Sequence, residues 1–178
     1  MKKFMQLFGC LYLLCAISAP SLSPSVDGAP QAVEWLSWSE AIERMQTSPR
    51  KILVDVYTGW CGYCRKMDNE VFTDALVAAY IRDNFYAVKL DAEENVPLVY
   101  DNHTFRWLPN QGRGGVHELA YALLDGSLRY PSLVYLDENQ RRINISPGFK
   151  PAQNMYKELQ YIGGNHYKVM TYEEYKSR

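Results

Sequence analysis

The 178-residue sequence predicts a mixed α/β domain, with helices on both faces of a central sheet. Two observations carry this prediction. Segments with helical and strand periodicity alternate along the chain, and a Cys-x-x-Cys pair, Cys61 and Cys64, stands between an apolar run and a predicted helix. The length and the hydrophobic fraction of 47% suffice for one domain with its own core.

Capping residues and periodicity define the elements of the first half. Ser37 and Glu40 have the spacing of a capping box, which predicts a helix start. The apolar run before Cys61 predicts a buried strand, and the Cys-x-x-Cys helix follows it directly. Thr73 is expected to cap a further helix, and the break before it is either a helix end or a kink. The predicted elements are a helix over 37–46, a strand over 52–57, a helix from 61 to the break at 70–73, a helix over 74–82 and a strand over 85–90.

The second half begins with a region, 91–115, that has no clean period and is expected to be a long unstructured connection. Gly126 is expected to end the helix that follows. Pro151 is expected at the first position of a later helix, and Thr171 and Glu174 form a second capping box. The predicted elements are a helix over 116–124, strands over 132–136 and 142–145, a helix from 151 to 163–164 and a short terminal helix.

The amino terminus has the pattern of a signal peptide. Two lysines precede an apolar stretch at 4–16, and small residues precede a predicted cleavage after Ser18. Residues 1–18 are therefore the predicted signal peptide, 19–32 a flexible lead rich in Pro, Ser, Ala and Gly, and 33–178 the domain. Lipid attachment at Cys10 or Cys15 is a less favoured alternative, because neither cysteine has a good lipobox before it.

After such cleavage, Cys61 and Cys64 would be the only cysteines. A bridge that closes so short a loop constrains the unfolded chain little, so stability is a poor reason for it. At a helix start, unpaired N–H groups and the helix dipole stabilise a thiolate at Cys61, which is expected to be exposed. The pair therefore predicts disulfide exchange rather than a disulfide scaffold.

Other functional classes have little support in the sequence. The net charge of −1 gives no reason to expect nucleic acid as a partner. His103 and His117 are fourteen residues apart, which is not the spacing of a Cys-x-x-Cys zinc site, so no metal is predicted.

The sequence resembles the thioredoxin superfamily, and in particular exported thioredoxin-like proteins of bacterial envelopes. The resemblance covers residues 52–164 and rests on four features in the right order. They are Val54-Asp-Val-Tyr-Thr-Gly-Trp-Cys-Gly-Tyr-Cys-Arg65, Val88-Lys-Leu-Asp91, Tyr130-Pro-Ser132 before a strand, and a closing strand followed by Gly148 and a helix. The resemblance implies a thioredoxin-like fold, whose central mixed sheet is flanked by helices and interrupted by an insertion, 93–115, between the second strand and the following helix.

The resemblance also implies roles for individual residues. Cys61 would be the nucleophile, and Cys64, the more buried of the two, would be the resolving thiol. Asp55, six residues before Cys61, matches a buried carboxylate whose pKa is raised and which accepts the proton of Cys64 through water. Lys89 matches a lysine that pairs near this carboxylate, although a surface lysine is an equal alternative.

Four further residues are expected to bind the client. Pro131 matches a cis-proline opposite the first cysteine, where the backbone of Tyr130 would pair with an extended client. Trp60 is expected to shield the disulfide and line the groove. Tyr63 stands where thioredoxin has proline, so the reduction potential stays open over about −270 to −120 mV.

The expected function is that of a thiol–disulfide oxidoreductase that reduces, isomerises or forms disulfides in exported proteins, with the periplasm as the expected compartment. Its redox group would be the Cys61–Cys64 disulfide itself, with no separate cofactor, and a membrane thiol carrier would supply electrons. The alternative is a binding module that captures a peptide or partner protein while its disulfide stays idle. The insertion 93–115 is expected to border the active site and shape client choice, or to be a plain surface loop.

Overall fold

The computed structural model describes residues 32–178, so the predicted signal peptide and nearly all of the lead lie outside the described residues. No helix in this part of the chain is long and apolar enough to cross a membrane. The strands are β1 (Trp35–Leu36), β2 (Lys51–Tyr57), β3 (Phe85–Asp91), β4 (Leu98–Tyr100), β5 (His103–Phe105), β6 (Trp107–Leu108), β7 (Val116–His117), β8 (Ser132–Leu136) and β9 (Arg142–Pro147). The helices are α1 (Trp38–Thr47), α2 (Gly62–Glu70), α3 (Ala75–Asn84), α4 (Glu118–Leu123), α5 (Ala152–Gly163) and α6 (Tyr172–Lys176), with a 3-10 turn at His166–Lys168.

The central sheet has five strands in the order β1-β3-β2-β8-β9. Strands β1, β3 and β2 run parallel, whereas β8 and β9 are each antiparallel to their neighbours. The sheet is therefore mixed, as the sequence predicts. Strand β2 lies at its centre and leads directly into the Cys-x-x-Cys helix.

Both faces of the sheet are covered, which explains why β2 is buried along almost its whole length. Ile52, Val54 and Val56 face a core formed with α1 and α4. Leu53 faces a second core, formed with α2, α3 and α5. Because successive side chains of a strand alternate between faces, Asp55 lies on the same face as Leu53, beneath α2.

The N-cap residues of three helices can be compared with those predicted from the sequence. Ser37 forms the predicted capping box with Glu40, and so does Thr171 with its partner. The prediction that Thr73 caps a helix is wrong. Asp74 caps α3 by accepting from the backbone N–H groups of Leu76 and Val77, while the Thr73 hydroxyl donates to a carbonyl of the preceding turn. The break at 70–73 is therefore a true helix end.

Other boundaries also differ from prediction. Pro151 is the residue before α5 rather than its first helical residue, and Gly164 follows the helix end. Helix α4 begins two residues later than expected, since Val116 and His117 pair with β6. Strand β9 extends to Pro147, and β1, with two residues, has too little sequence to show a period.

The region 91–115 is not unstructured. Its first part is the hairpin β4–β5, whose turn residues Asp101 and Asn102 have φ of 50° and 58°, as a tight hairpin turn requires. Its second part pairs β6 with β7. The His117 N–H donates to the carbonyl of Ala92 at 2.7 Å, which holds the two ends of the insertion together. The His117 ring donates from Nε2 to the carbonyl of Val96 and accepts at Nδ1 from the α4 backbone.

Candidate active site

The two cysteines are positioned by the end of β2. The backbone N–H of Cys61 donates to the carbonyl of Thr58 at 3.1 Å, which turns the chain into α2. Cys61 is the N-cap residue, just before the helix, and Cys64 lies in its first turn. They form a disulfide, with their Cα atoms 5.2 Å apart.

The start of α2 provides a stabilising environment for charge on the first sulfur. The backbone N–H of Cys64 donates to Cys61 Sγ at 3.0 Å, and the helix dipole points its positive end at the same atom. Both cysteines are buried, with 4% of Cys61 and 2% of Cys64 exposed. The expected exposure of Cys61 is therefore wrong for the disulfide form. Cys64 is slightly more buried than Cys61, which is the predicted order.

Asp55 lies on β2 beneath the helix and is completely buried. Burial raises the pKa of its carboxyl group, and the positive charge of Lys89 opposes this shift. Lys89 stands directly opposite Asp55 in β3, with Nζ 2.8 Å from Oδ2. Among the described residues, neither carboxylate oxygen accepts a well-directed hydrogen bond, so Asp55 is held mainly by this ion pair.

Lys89 is enclosed by groups that suit a cation. Burial lowers the pKa of its ammonium group, but Asp55 and Asp68 together raise it by more. Asp68 belongs to α2 and also accepts a hydrogen bond from Nζ. The rings of Trp35 and Tyr57 lie 4.9 and 4.8 Å from Nζ, close enough for cation–π attraction. Lys89 thus links the carboxylate below the site to the helix that carries the cysteines.

One side of the cysteine pair is an open groove of about 370 Å³. The Tyr130–Pro131 peptide bond is cis, as the resemblance implies, and the Pro131 carbonyl accepts from the Gly148 N–H at 2.7 Å. Tyr63 is 63% exposed and lies beside Phe149, with ring centroids 6.0 Å apart. The groove therefore has partly exposed aromatic walls.

The other side is formed by Trp60 and the insertion. Trp60 is half exposed, and its Nε1 donates to Glu93 Oε1 at 2.8 Å. The guanidinium of Arg113 lies 5.2 Å from the Trp60 ring centre. The ring of Tyr130 meets Trp60 edge-to-face at 6.0 Å. Both ends of the insertion thus contact the residue before Cys61.

The same side is acidic around Tyr130. Burial raises the pKa of the Tyr130 phenol to about 12, and the negative charges of Glu93 and Asp91 raise it in the same direction. A cleft of about 100 Å³ lies between the two aromatic rings and the loop at 112–115. Trp60, Tyr130 and the insertion therefore form a second wall beside the disulfide.

The structure brings the predicted site residues to one end of the domain and adds several that the sequence did not single out. Glu93, Arg113 and Phe149 contact the predicted client-binding residues, and Asp68 shares Lys89 with Asp55. Asp68 had a usable signal, since it lies one helical turn after Cys64. Glu93 and Arg113 had none, because they come from a region without a period.

The histidines have structural partners. His103 pairs with Glu118, and His117 caps α4. Within residues 32–178, no group of three or more His, Cys, Asp and Glu side chains is arranged to hold a metal ion.

Comparison with known proteins agrees with this architecture. The model of the Thioredox_DsbH family, described as a protein of unknown function, DUF255, matches residues 20–156. The chain belongs to this family. A curated relative, the uncharacterized protein B0495.5 of Caenorhabditis elegans, is 31% identical over 127 residues. The match takes in 71% of this chain but 15% of that relative, so the chain spans a small part of the relative's length.

Solved structures with the thioredoxin fold superpose on this member of the family. A structure titled DsbH oxidoreductase has a TM-score of 0.53 at 16% identity and covers 86% of this chain and 96% of that one. A putative disulphide-isomerase from Bacteroides thetaiotaomicron has a TM-score of 0.52 at 24% identity, covering 75% and 92%. A thioredoxin from Thermus thermophilus has a TM-score of 0.54 at 17% identity, covering 74% and 88%. These likenesses establish the thioredoxin-like fold.

Proposed function

We propose that this protein is a thiol–disulfide oxidoreductase that acts on protein disulfides through Cys61 and Cys64. The observation that carries the proposal is the position of Cys61 Sγ, which accepts a backbone hydrogen bond at the start of α2 above a buried carboxylate. A thiolate is the reactive species in disulfide exchange, and this environment favours it. The names of the DsbH and disulphide-isomerase structures agree with the proposal.

The proposed reaction has two exchange steps. The Cys61 thiolate attacks one sulfur of a client disulfide, forming a mixed disulfide and releasing the other client sulfur as a thiolate. The Cys64 thiolate then attacks Cys61 Sγ, which forms the Cys61–Cys64 disulfide and releases the second client thiolate. Two electrons pass from the protein dithiol to the client. The same steps in reverse oxidise a client dithiol, so the relative potentials decide the direction.

Asp55 accepts the proton of Cys64 in the second step of this scheme, through an intervening water. Its pKa is raised by burial, which brings the carboxylate closer in basicity to the thiol it serves. Lys89 keeps the group from being protonated too readily, since its positive charge opposes that shift.

Client binding is assigned to the two aromatic walls beside Cys61. Tyr63, Tyr130 and Pro131 line the open groove, where an extended client segment pairs with the backbone before Pro131. Trp60 covers the other side, and the insertion determines which clients fit there. The contacts of Trp60 with Glu93 and Arg113 support this role.

The proposed setting is an exported compartment, in the periplasm if the source is a bacterium with two membranes. The signal-peptide pattern of residues 1–18 supports export. Clients would be exported proteins with thiols or disulfides, and a membrane thiol carrier would restore the dithiol. Nucleic acid is not among the proposed partners.

A binding module with an idle disulfide is the second candidate. The burial of both sulfurs in the closed disulfide favours it, because an inaccessible bridge exchanges slowly. The two candidates differ in whether mild reductant opens the bridge and whether the protein then turns over.

The test combines thiol titration with reduction of insulin disulfides. We expect two titratable thiols in residues 32–178 after mild reduction and catalytic turnover of insulin that Cys61→Ser abolishes. A matched surface control is Ser39→Ala. A bridge that stays closed, or equal insulin reduction by the Cys61→Ser variant, would support the binding module.

A further inference from the structure

A second buried ion pair lies on the same face of the sheet, beside the Asp55–Lys89 pair. Lys150 Nζ is 3.6 Å from Glu158 Oε1 and donates a hydrogen bond to Ser146 Oγ at 2.9 Å. Only 13% of the Lys150 side chain and 8% of the Glu158 side chain are exposed. This pair takes no part in the exchange steps above.

Glu158 accepts hydrogen bonds from two hydroxyl groups. Tyr135 donates from its phenol to Oε1 at 2.7 Å, and Ser146 donates from Oγ to Oε2 at 2.8 Å. Donors of this kind stabilise a carboxylate that would otherwise be costly to bury. Burial lowers the pKa of the Lys150 ammonium group, and the charge of Glu158 opposes this shift. The pair joins β8, β9 and α5.

The strand register connects this pair to Asp55. Leu133 stands opposite Asp55 in β8, and Ser146 stands opposite Leu133 in β9. These three residues therefore form a row on one face of the sheet, and Lys89 extends the row on the other side of Asp55. With a strand spacing of about 4.8 Å, the backbone of Ser146 is roughly 10 Å from that of Asp55.

Little screens the charges along this row. Asp55 and Leu133 are fully buried, so solvent water does not reach this part of the row. The attraction of Lys150 lowers the pKa of Asp55, against the larger effect of burial. The other charged groups that face Asp55 are Lys89 from β3 and Asp68 from α2.

We propose that Lys150 is a second positioning residue of the redox site, a buried cation that stabilises the carboxylate form of Asp55 from beyond Leu133, opposite Lys89. Glu158 limits this effect by partly neutralising Lys150. The proposal deepens the proposed function and depends on it only for its consequence in turnover, since Lys150 acts on Asp55 in any case.

Two substitutions with opposite expected effects test the proposal. The carboxyl carbon of Asp55 is titrated by NMR in the disulfide form, in which the two cysteines do not titrate. Lys150→Met removes the cation and leaves Glu158 charged, so the Asp55 midpoint rises. Glu158→Gln leaves Lys150 unopposed, so the midpoint falls. The two midpoints should therefore move in opposite directions, each by more than in the control variant described next.

The matched control is Lys157→Met, which removes a charge from an exposed position next to Glu158 on the same helix. It should leave the Asp55 midpoint where it is. A merely structural role for the pair would shift both test variants in the same direction, and that result, or shifts no larger than the control, would overturn the proposal.

A third variant covers the case in which Glu158→Gln does not fold. Lys150→Arg keeps the positive charge, so its Asp55 midpoint should stay near that of the parent while Lys150→Met differs from both. Equal midpoints for the Arg and Met variants would overturn the proposal. None of these titrations requires turnover, so a protein that fails to exchange disulfides would refute the proposed function and leave this result standing.

Discussion

The start of α2 and the insertion 93–115 meet at Trp60, and they are built in different ways. The cysteines are placed by main-chain structure, since β2 pairs with long strands on both sides and runs directly into the helix. The insertion is held by strand pairs of two or three residues and by side-chain contacts to Trp60. The cysteine pair is therefore fixed by the core of the sheet, whereas the proposed client surface depends on a few side chains that substitution can readily change.

The largest effects are expected from substitutions of the two cysteines, which remove an exchange step and do not change the insertion. Cys64→Ser should trap mixed disulfides between Cys61 and client proteins, because the second thiol is needed to release the adduct. Cys61→Ser should trap few and lose turnover entirely. Adducts are counted on non-reducing gels of pull-downs from the native compartment. Similar numbers of reducible adducts for both variants would contradict the assignment of Cys61 as the nucleophile.

Asp55→Asn should come next, with release of the client slowed by about a hundredfold, within the usual contribution of an acid–base group. In the parent, the release rate should rise as the pH passes the raised pKa of Asp55, and the variant should lack this rise. Rapid-quench measurement of mixed-disulfide decay over pH 5–9 tests this. Asp83→Asn, at an exposed position of α3, is the control, and a parental pH profile for Asp55→Asn would make Asp55 purely structural.

The same variant tests the sign of the burial energy. A carboxyl group whose pKa is raised on folding destabilises the folded state above that raised pKa, and the effect vanishes below the ordinary value near 3.8. Asp55→Asn should therefore increase the free energy of unfolding at neutral and alkaline pH, and the gain should shrink as the pH falls toward 4. In this variant Lys89 keeps Asp68 as an ionic partner. Denaturant titrations at several pH values measure the gain in the free energy of unfolding.

A smaller effect is expected from removal of the insertion. Replacing residues 93–115 by a short Gly-Ser link should leave the rate of reduction of a small disulfide nearly unchanged. The rates of reduction of protein clients should change severalfold. The link can close without strain, because His117 already donates to the Ala92 carbonyl at the base of the insertion. Competition between two protein clients, with a small aromatic disulfide as reference, measures the change. If the shortened protein kept the client preference of the parent, the insertion would have no role in client choice.

The smallest effect is expected from one glycine of the insertion. Gly115 has φ of +118°, and a Cβ there would overlap the Trp107 ring. Gly115→Ala should reduce the free energy of unfolding by about 1–3 kcal/mol, whereas Gly114→Ala, with open space around it, should stay within about 0.5 kcal/mol. Equal stability of the two variants would show that the loop moves freely and is not fixed against Trp107.

The start of α2 could be predicted from the sequence, whereas the contacts of the insertion could not. The Cys-x-x-Cys helix, the strand that holds Asp55 and the cis-proline are encoded in short continuous patterns, so the sequence located them. The contact of Asp55 with Lys89 was implied by the resemblance, with a surface lysine as an equal alternative, and the register of β2 and β3 decides between the two. The contacts of Glu93 and Arg113 with Trp60 depend on how the insertion folds back, and no local pattern records that.

Helix boundaries show a second reason why some elements of the structure differ from those predicted from the sequence. Thr73 and Asp74 are both good N-cap residues, and only the position at which α2 ends decides between them. Strands β6 and β7 have two residues each, too few for any periodicity to show. Lys150 and Glu158 are likewise unremarkable in sequence and become a pair only because β9 and α5 pack together.

The redox equilibrium of the Cys61–Cys64 couple distinguishes a catalytic disulfide from a structural one. The protein is equilibrated with thiol–disulfide buffers of known potential, and the free thiols are counted by alkylation and mass spectrometry. We expect one two-electron transition within the range of about −270 to −120 mV that exchange proteins occupy. A disulfide that stays closed until the potential falls below about −300 mV, as structural bridges do, would contradict it.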